Sequence, residues 1–154
     1  SFPIWMMVTE GKTFAQYQPL HSALIALGHL VSAPFLVNPL CAAITVWAAH
    51  ALSRRIFGLA TAHLTALLMP ASPSMLFMSA EYMNHASALM CITLFMLAFI
   101  RACDAAAAGN RPASLRWGFA TGAMLGAECL VRPFSAIGLG TPFLVYAGML
   151  LWRA

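Results

Sequence analysis

The chain has 154 residues, of which 62% are hydrophobic and only 8% are charged, and its formal net charge is +4. A soluble domain carries roughly 25% charged residues, so this composition excludes an ordinary water-exposed surface. The basic residues lie at the ends of apolar runs rather than in a stripe, which argues against a nucleic-acid partner. Together these features predict an all-α protein, a polytopic bundle of transmembrane helices in contact with membrane lipids.

Residues 1–34 are expected to form an outward-facing juxtamembrane segment. Aromatic residues recur over residues 1–19, as is typical of a chain segment at a membrane interface. The apolar run at 20–33 is shorter than the roughly 20 residues that a helix needs to cross a bilayer. Pro34 interrupts this run. We therefore expect a short interfacial helix at residues 20–33.

Residues 35–154 are expected to hold about five transmembrane helices, because their apolar runs contain few or no charged residues. The expected spans lie at residues 35–53, 57–79, 83–100, 116–131 and 134–152. Pro70 and Pro73 fall inside the second span, which should be kinked or broken there. A loop with an alanine tract is expected over residues 101–116.

Basic residues are distributed unequally over the two sides of the predicted bundle. Six of them fall on one side, namely Arg54, Arg55, Arg101, Arg111, Arg116 and Arg153. The other side holds only Lys12 and Arg132. Under the positive-inside rule the arginine-rich side faces the cytoplasm. The N-terminal segment, the turn at residues 81–85 and the turn at Arg132 then face outward.

The first outward turn carries an unusual variety of polar groups, contributed by Glu81, Tyr82, Asn84 and His85. A carboxylate, a phenol, an amide and an imidazole together can bind a polar substrate or transfer a proton. The alternative is that they are interfacial residues that cap a span.

A second outward cluster surrounds Arg132. Glu128 and Arg132 are four residues apart, a spacing at which opposite charges on a helix can neutralise each other. The alternative is that Arg132 binds a ligand, because a guanidinium at a membrane surface can hold a lipid phosphate with two hydrogen bonds. The residues alone leave both interpretations open.

Other features are interpreted as structural. Gly118, Gly122 and Gly126 repeat every four residues, the small-residue pattern that lets membrane helices approach closely. No metal site is expected. The histidines on apolar segments are isolated, and the four cysteines are not spaced as metal ligands are. No cofactor is expected either, because the sequence contains no P-loop, dinucleotide-binding glycine motif or nucleophile elbow.

Three motifs, in order along the chain, resemble motifs of the GT-C membrane glycosyltransferases. Residues 17–28, YQPLHSALIALG, are similar to that family's segment YPPGxxLLLALG. Residues 72–85, SPSMLFMSAEYMNH, are similar to SPFFLFMSxxYMNH, and residues 126–133, GAECLVRP, to GLxFLVRP. The similar proteins are bacterial relatives of protein O-mannosyltransferases and of the lipid A aminoarabinose transferase. Leu20 departs from the family's glycine, and Glu128 from a usually apolar residue.

This resemblance implies a multi-pass protein of a bacterial inner membrane. Its donor would be a sugar on a polyprenyl phosphate, its acceptor would be met on the non-cytoplasmic face, and Arg132 would contact the donor phosphate. The residues lining the outer cavity would be Tyr17, His21, Glu81, Tyr82, Asn84 and His85. The family's catalytic Asp or Glu would precede Ser1, so the chain is expected to be a fragment that lacks it.

Two other functions fit the same residues. A membrane transporter or lipid flippase could use Glu81 and the Glu128–Arg132 pair to gate a substrate path. A noncatalytic membrane scaffold could pack through the three glycines spaced four residues apart.

Overall fold

The structure, a computed structural model, describes residues 6–9, 12–15 and 19–152. Within these residues the chain folds into seven α-helices, preceded by an antiparallel hairpin of strands β1 (Met6–Thr9) and β2 (Lys12–Ala15). The all-α helical class is confirmed for the body of the chain. The hairpin was not expected, although its strands contain valine, threonine and phenylalanine, which favour extended backbone.

Helix α1 (Pro19–Leu30) is the short apolar helix that was expected at residues 20–33. Proline suits the first position of a helix, because the missing N–H would have no intrahelical acceptor there. After α1 the chain reverses at Ser32, which has a positive φ of 56°. A 3-10 turn over Pro34–Leu36 then leads into the next helix.

Gly28 is required where the end of α1 meets this reversal. A Cβ atom at Gly28 would lie 2.7 Å from Cγ2 of Val37 and 2.8 Å from the backbone Cα of Pro34. Both distances are shorter than real side chains tolerate, so any larger residue would push the reversal away from α1.

Helix α2 (Val37–Phe57) is longer than the apolar span that begins it. The first span was expected to stop at residue 53, but the helix continues through Arg54 and Arg55 and ends before Gly58, which has a φ of 92°. Arginine is a good helix former, so the arginines end the apolar run without ending the helix.

The break expected in the second span is present. Helix α3 (Leu59–Ala71) is followed by Ser72 in an extended conformation, and helix α4 (Pro73–Ala80) begins directly after it. Proline disfavours helical backbone in the residue before it, which explains why the break falls at Ser72.

The loop expected at residues 101–116 is wrong in extent. Helix α5 (His85–Ala107) continues through most of the alanine tract, because alanine has the highest helix propensity. Helix α6 (Arg111–Cys129) begins shortly afterwards. Its cap is Asn110, whose side-chain oxygen accepts a hydrogen bond from the backbone N–H of Ala113 at 3.2 Å.

Helix α5 forms the centre of the described bundle, because it packs against α2, α6 and helix α7 (Pro133–Trp152). Its buried face includes Cys91, Phe95 and Leu97. Phe95 packs edge-to-face on Phe143 of α7, with ring centroids 5.2 Å apart. This core fixes the relative positions of the helix ends that carry the polar residues.

Two of the described helices, Pro34–Phe57 and His85–Ala107, are long and apolar enough to cross a membrane. The outer surface of the bundle is also strongly apolar, with Phe119 80% exposed and Phe134 89% exposed. Exposure of many large apolar side chains is typical of contact with lipid or with other helices. The other expected spans remain predictions.

The three spaced glycines of α6 lie on its outer side. No described atom lies within 4 Å of the Cβ positions of Gly118, Gly122 and Gly126. The close helix approach expected for them is therefore not made by the described helices.

Candidate functional site

Polar side chains gather at the two opposite ends of α5. At its beginning lies the polar end, which consists of His21, Asn38, residues 81–85 and residues 128–132. At its last turns lies the arginine end, which consists of Arg55, Arg101, Asp104 and Trp117. His85 and Asp104 lie 19 residues apart on α5, so the helix separates the two ends by about 29 Å.

The turn before α5 is held by a buried amide that was not predicted as a site residue. Asn38, which is 3% exposed, donates through Nδ2 to the carbonyl oxygen of Glu81 and to that of Met83, the latter at 3.0 Å. An amide in an apolar run must find partners once it is buried, and this was the available sequence signal. Asn38 thus fixes the backbone that carries the Glu81 side chain.

His21 attaches α1 to the same turn. Its Nε2 donates to the carbonyl oxygen of Tyr82 at 3.0 Å, and its Nδ1 lies 3.0 Å from Oγ of Ser87. The ring is buried, with 6% of the residue exposed. Both ring nitrogens are therefore engaged by protein groups, and His21 positions the turn.

Asn84 joins the two polar turns to each other. Its Nδ2 donates to the carbonyl oxygen of Val131 at 3.2 Å, and both residues are buried. A second contact joins α1 to the end of α6, where the backbone N–H of Leu20 donates to the carbonyl oxygen of Leu130 at 3.3 Å. These bonds bring the Glu81 and Arg132 segments, predicted separately, to one end of the bundle.

The side chains that remain accessible at the polar end are Glu81, Tyr82, His85 and Arg132. Glu81 is exposed, Tyr82 is 61% exposed, and the other two are half-buried. His85 lies within electrostatic range of both Glu81 and Arg132. An acid, an imidazole and a guanidinium therefore lie at the same end of the bundle.

The side chains of Arg132 and Glu128 are not in direct contact as an ion pair. Between these two described residues there is no side-chain ion pair, although the backbone N–H of Arg132 donates to the Glu128 carbonyl oxygen at 2.6 Å. Glu128 is 1% exposed and its Oε2 has no hydrogen-bond partner in the described part of the chain. Within the same residues the Arg132 guanidinium makes no hydrogen bond, so its donors are available to a ligand.

A cavity of about 110 Å³ opens beside the turn. Its lining comes from the start of α2 and the end of α4, namely Pro34, Phe35, Asn38, Pro39, Ser79, Ala80, Glu81 and Tyr82. Two predicted residues, Glu81 and Tyr82, thus line the same cavity. Tyr17 lies outside the described residues. No set of three metal-binding side chains occurs in the part that the structure describes.

The fold and the polar end define a helical membrane protein with a polar site where its helices end. Residues 17–153 match the dolichyl-phosphate-mannose-protein mannosyltransferase family. The match covers most of the chain, and the chain belongs to this family, which confirms the resemblance drawn from the three motifs. The family is one of membrane glycosyltransferases of the mannosyltransferase type. Comparisons with curated proteins and with solved structures gave no significant match.

Proposed function

We propose that the chain forms part of a multi-pass glycosyltransferase of a bacterial inner membrane. It transfers a sugar from a polyprenyl-phosphate donor to an acceptor on the non-cytoplasmic face. The observation that carries this proposal is the hydrogen bond from Asn84 to the carbonyl oxygen of Val131, because it joins the Glu81 turn to the Arg132 turn. A phosphate-binding cation and a sugar-binding polar cluster are thereby available to the same substrate.

Arg132 is the residue proposed to bind the donor phosphate. In the transfer, the bond from the sugar's anomeric carbon to the phosphate oxygen breaks, and a bond to the acceptor oxygen forms with inversion. The acceptor gives up its proton to a base, and negative charge accumulates on the leaving phosphate. A guanidinium can stabilise that charge with two parallel hydrogen bonds, and Arg132 has no described partner that competes for it.

The other predicted residues divide between contact and positioning. Glu81, Tyr82 and His85 are accessible and are proposed to orient the sugar or acceptor through hydrogen bonds and ring contacts. His21 and Asn84 are buried and hold the two turns in place. Tyr17 is proposed to line the same cavity, on the family resemblance alone.

Replacement of Arg132 tests this assignment directly. In the complete protein, Arg132→Ala should lower the rate of sugar transfer by about 10²- to 10³-fold, because one preformed stabiliser of the developing charge is lost. The measurement is product formation from a polyprenyl-phosphate sugar by equal amounts of membrane-inserted protein. The matched control is Arg111→Ala, which removes the same group from the arginine-rich side of the bundle and should leave the rate within about twofold.

Two results would overturn the proposal. Unchanged transfer in Arg132→Ala would remove the residue's assigned role. An equal loss in both arginine variants would show that the rate follows the overall charge of the protein rather than a contact at the polar end.

A further inference from the structure

A second cavity lies at the arginine end, far from the polar site. It has a volume of about 300 Å³, which is at the lower limit of typical ligand sites, roughly 300–1,000 Å³. Residues of α2, α5 and α6 line it, namely Ala51, Arg55, Leu97, Ile100, Arg101, Asp104 and Trp117. We propose that this cavity binds the headgroup of an anionic phospholipid. The inference does not depend on the proposed sugar transfer.

Arg55 is held in one orientation by an ion pair that leaves part of its guanidinium unused. Its Nε donates to Oδ2 of Asp104 and its Nη2 to Oδ1, each at 2.7 Å. The pair is partly exposed, with 61% of the Arg55 side chain accessible. Nη1 takes no part in this pair, so its N–H groups can reach a second anion without breaking the contact with Asp104.

Arg101 is positioned by contact with an aromatic ring. Its guanidinium carbon lies 5.0 Å from the centre of the Trp117 ring, a distance typical of a cation–π contact. Among the described residues no acceptor takes a hydrogen bond from the Arg101 guanidinium. Its N–H groups can therefore donate to a phosphate.

The charge of the lining favours an anion. Two guanidinium groups face the cavity, and Asp104 supplies the only carboxylate among the lining residues. One positive charge is therefore left uncompensated. A phosphodiester carries one negative charge, so a single anionic headgroup would balance the lining, and basic pockets between membrane helices bind such groups.

The apolar part of the lining favours a lipid over a free phosphate. Ala51, Leu97 and Ile100 form the apolar portion of the wall, and a dissolved phosphate gains nothing from contact with such groups. A phospholipid places glycerol and acyl carbons beside its phosphate, which suits a site that is part apolar and part cationic. Trp117 belongs to the residue type that gathers at membrane interfaces.

The test measures binding of phosphatidylglycerol in mixed micelles to the purified full chain by titration calorimetry. Arg101→Ala should weaken this binding about tenfold, because hydrogen bonds to a charged group are lost. Arg101→Lys keeps the charge without the planar fork and should weaken it less. Arg111→Ala, which alters the same end outside the cavity, is the matched control and should bind as the unaltered chain does.

Three outcomes would overturn the proposal. Equal loss in Arg101→Ala and Arg111→Ala would mean that binding reflects diffuse charge. Equal binding of phosphatidylcholine would show that the site does not select an anionic headgroup. Equal binding of soluble glycerol 3-phosphate would show that the ligand is a free phosphate and not a lipid. Thermal melting of each variant establishes that a loss of binding is not a loss of folding.

Discussion

Asn38 and Asn110 carry the same amide but use opposite sides of it. Asn38 donates through its nitrogen to the carbonyl oxygens of Glu81 and Met83. Asn110 accepts through its oxygen from the backbone N–H of Ala113. Substitution by aspartate replaces the amide nitrogen with an oxygen. The same change therefore removes the donor at one position and preserves the acceptor at the other.

We expect Asn38→Asp to destabilise the protein by about 3 kcal/mol, because a buried carboxylate oxygen would face two carbonyl oxygens. Asn110→Asp should change stability by less than about 0.5 kcal/mol, because aspartate caps a helix as well as asparagine does. Unfolding of both variants in detergent, followed by circular dichroism, compares the two. Equal stability of the variants would mean that Asn38 does not donate to the turn.

The accessible side chains of the polar end could be predicted from the sequence. Among the residues that position them, His21 and Asn84 were expected to line the cavity instead, and Asn38 was not predicted. Glu81 and Arg132 stand out because charge is rare in this chain and costly inside a membrane. Asn38 lies 43 residues before the Glu81 carbonyl that it contacts. Every residue has a backbone carbonyl. Neither spacing nor composition therefore identifies which carbonyl a distant amide contacts.

At the scale of the helices, local rules located one boundary and missed another. The break at Ser72 follows from Pro73, because proline restricts its own neighbour whatever the rest of the fold does. The predicted loop at residues 101–116 is wrong because the end of the apolar run at residue 100 is not the end of the helix. Helix propensity and membrane depth are separate properties, and α5 continues through Arg101 and the alanines that follow it.

Gly28 and Gly118 should respond in opposite ways to the same methyl group. Gly28→Ala places a Cβ 2.8 Å from the backbone of Pro34, so we expect a loss of about 1–3 kcal/mol of stability. Gly118→Ala meets no described atom within 4 Å and should gain up to about 1 kcal/mol from helix propensity. Thermal melting in detergent measures both.

The contrary result at Gly118 would also be informative. If Gly118→Ala lowers the melting temperature as much as Gly28→Ala does, the outer side of α6 is packed in the complete protein. The spaced glycines would then make the close helix approach that the described helices do not make.

At the scale of the whole molecule, two independent observations divide the bundle in the same way. The positive-inside rule separates Arg132 from the other arginines by charge counting alone. The hydrogen bonds of the polar end then connect Arg132's segment to the Glu81 turn, whereas Arg55 and Asp104 pair at the far end of α5. The charge count predicts the direction across the membrane, which the packing of the helices alone does not indicate.

A labelling experiment can test this orientation, because α5 alone separates two exposed positions. Tyr82 precedes the helix and Arg111 follows it, and a helix of 23 residues extends about 35 Å, more than the roughly 30 Å of a hydrocarbon core. In intact cells, with the native cysteines replaced, Tyr82→Cys should react with a membrane-impermeant maleimide. Arg111→Cys should react only after the membrane is permeabilised. Labelling of both from outside would show that α5 does not cross, and the reverse pattern would place the polar end in the cytoplasm, where an outward-facing acceptor could not reach it.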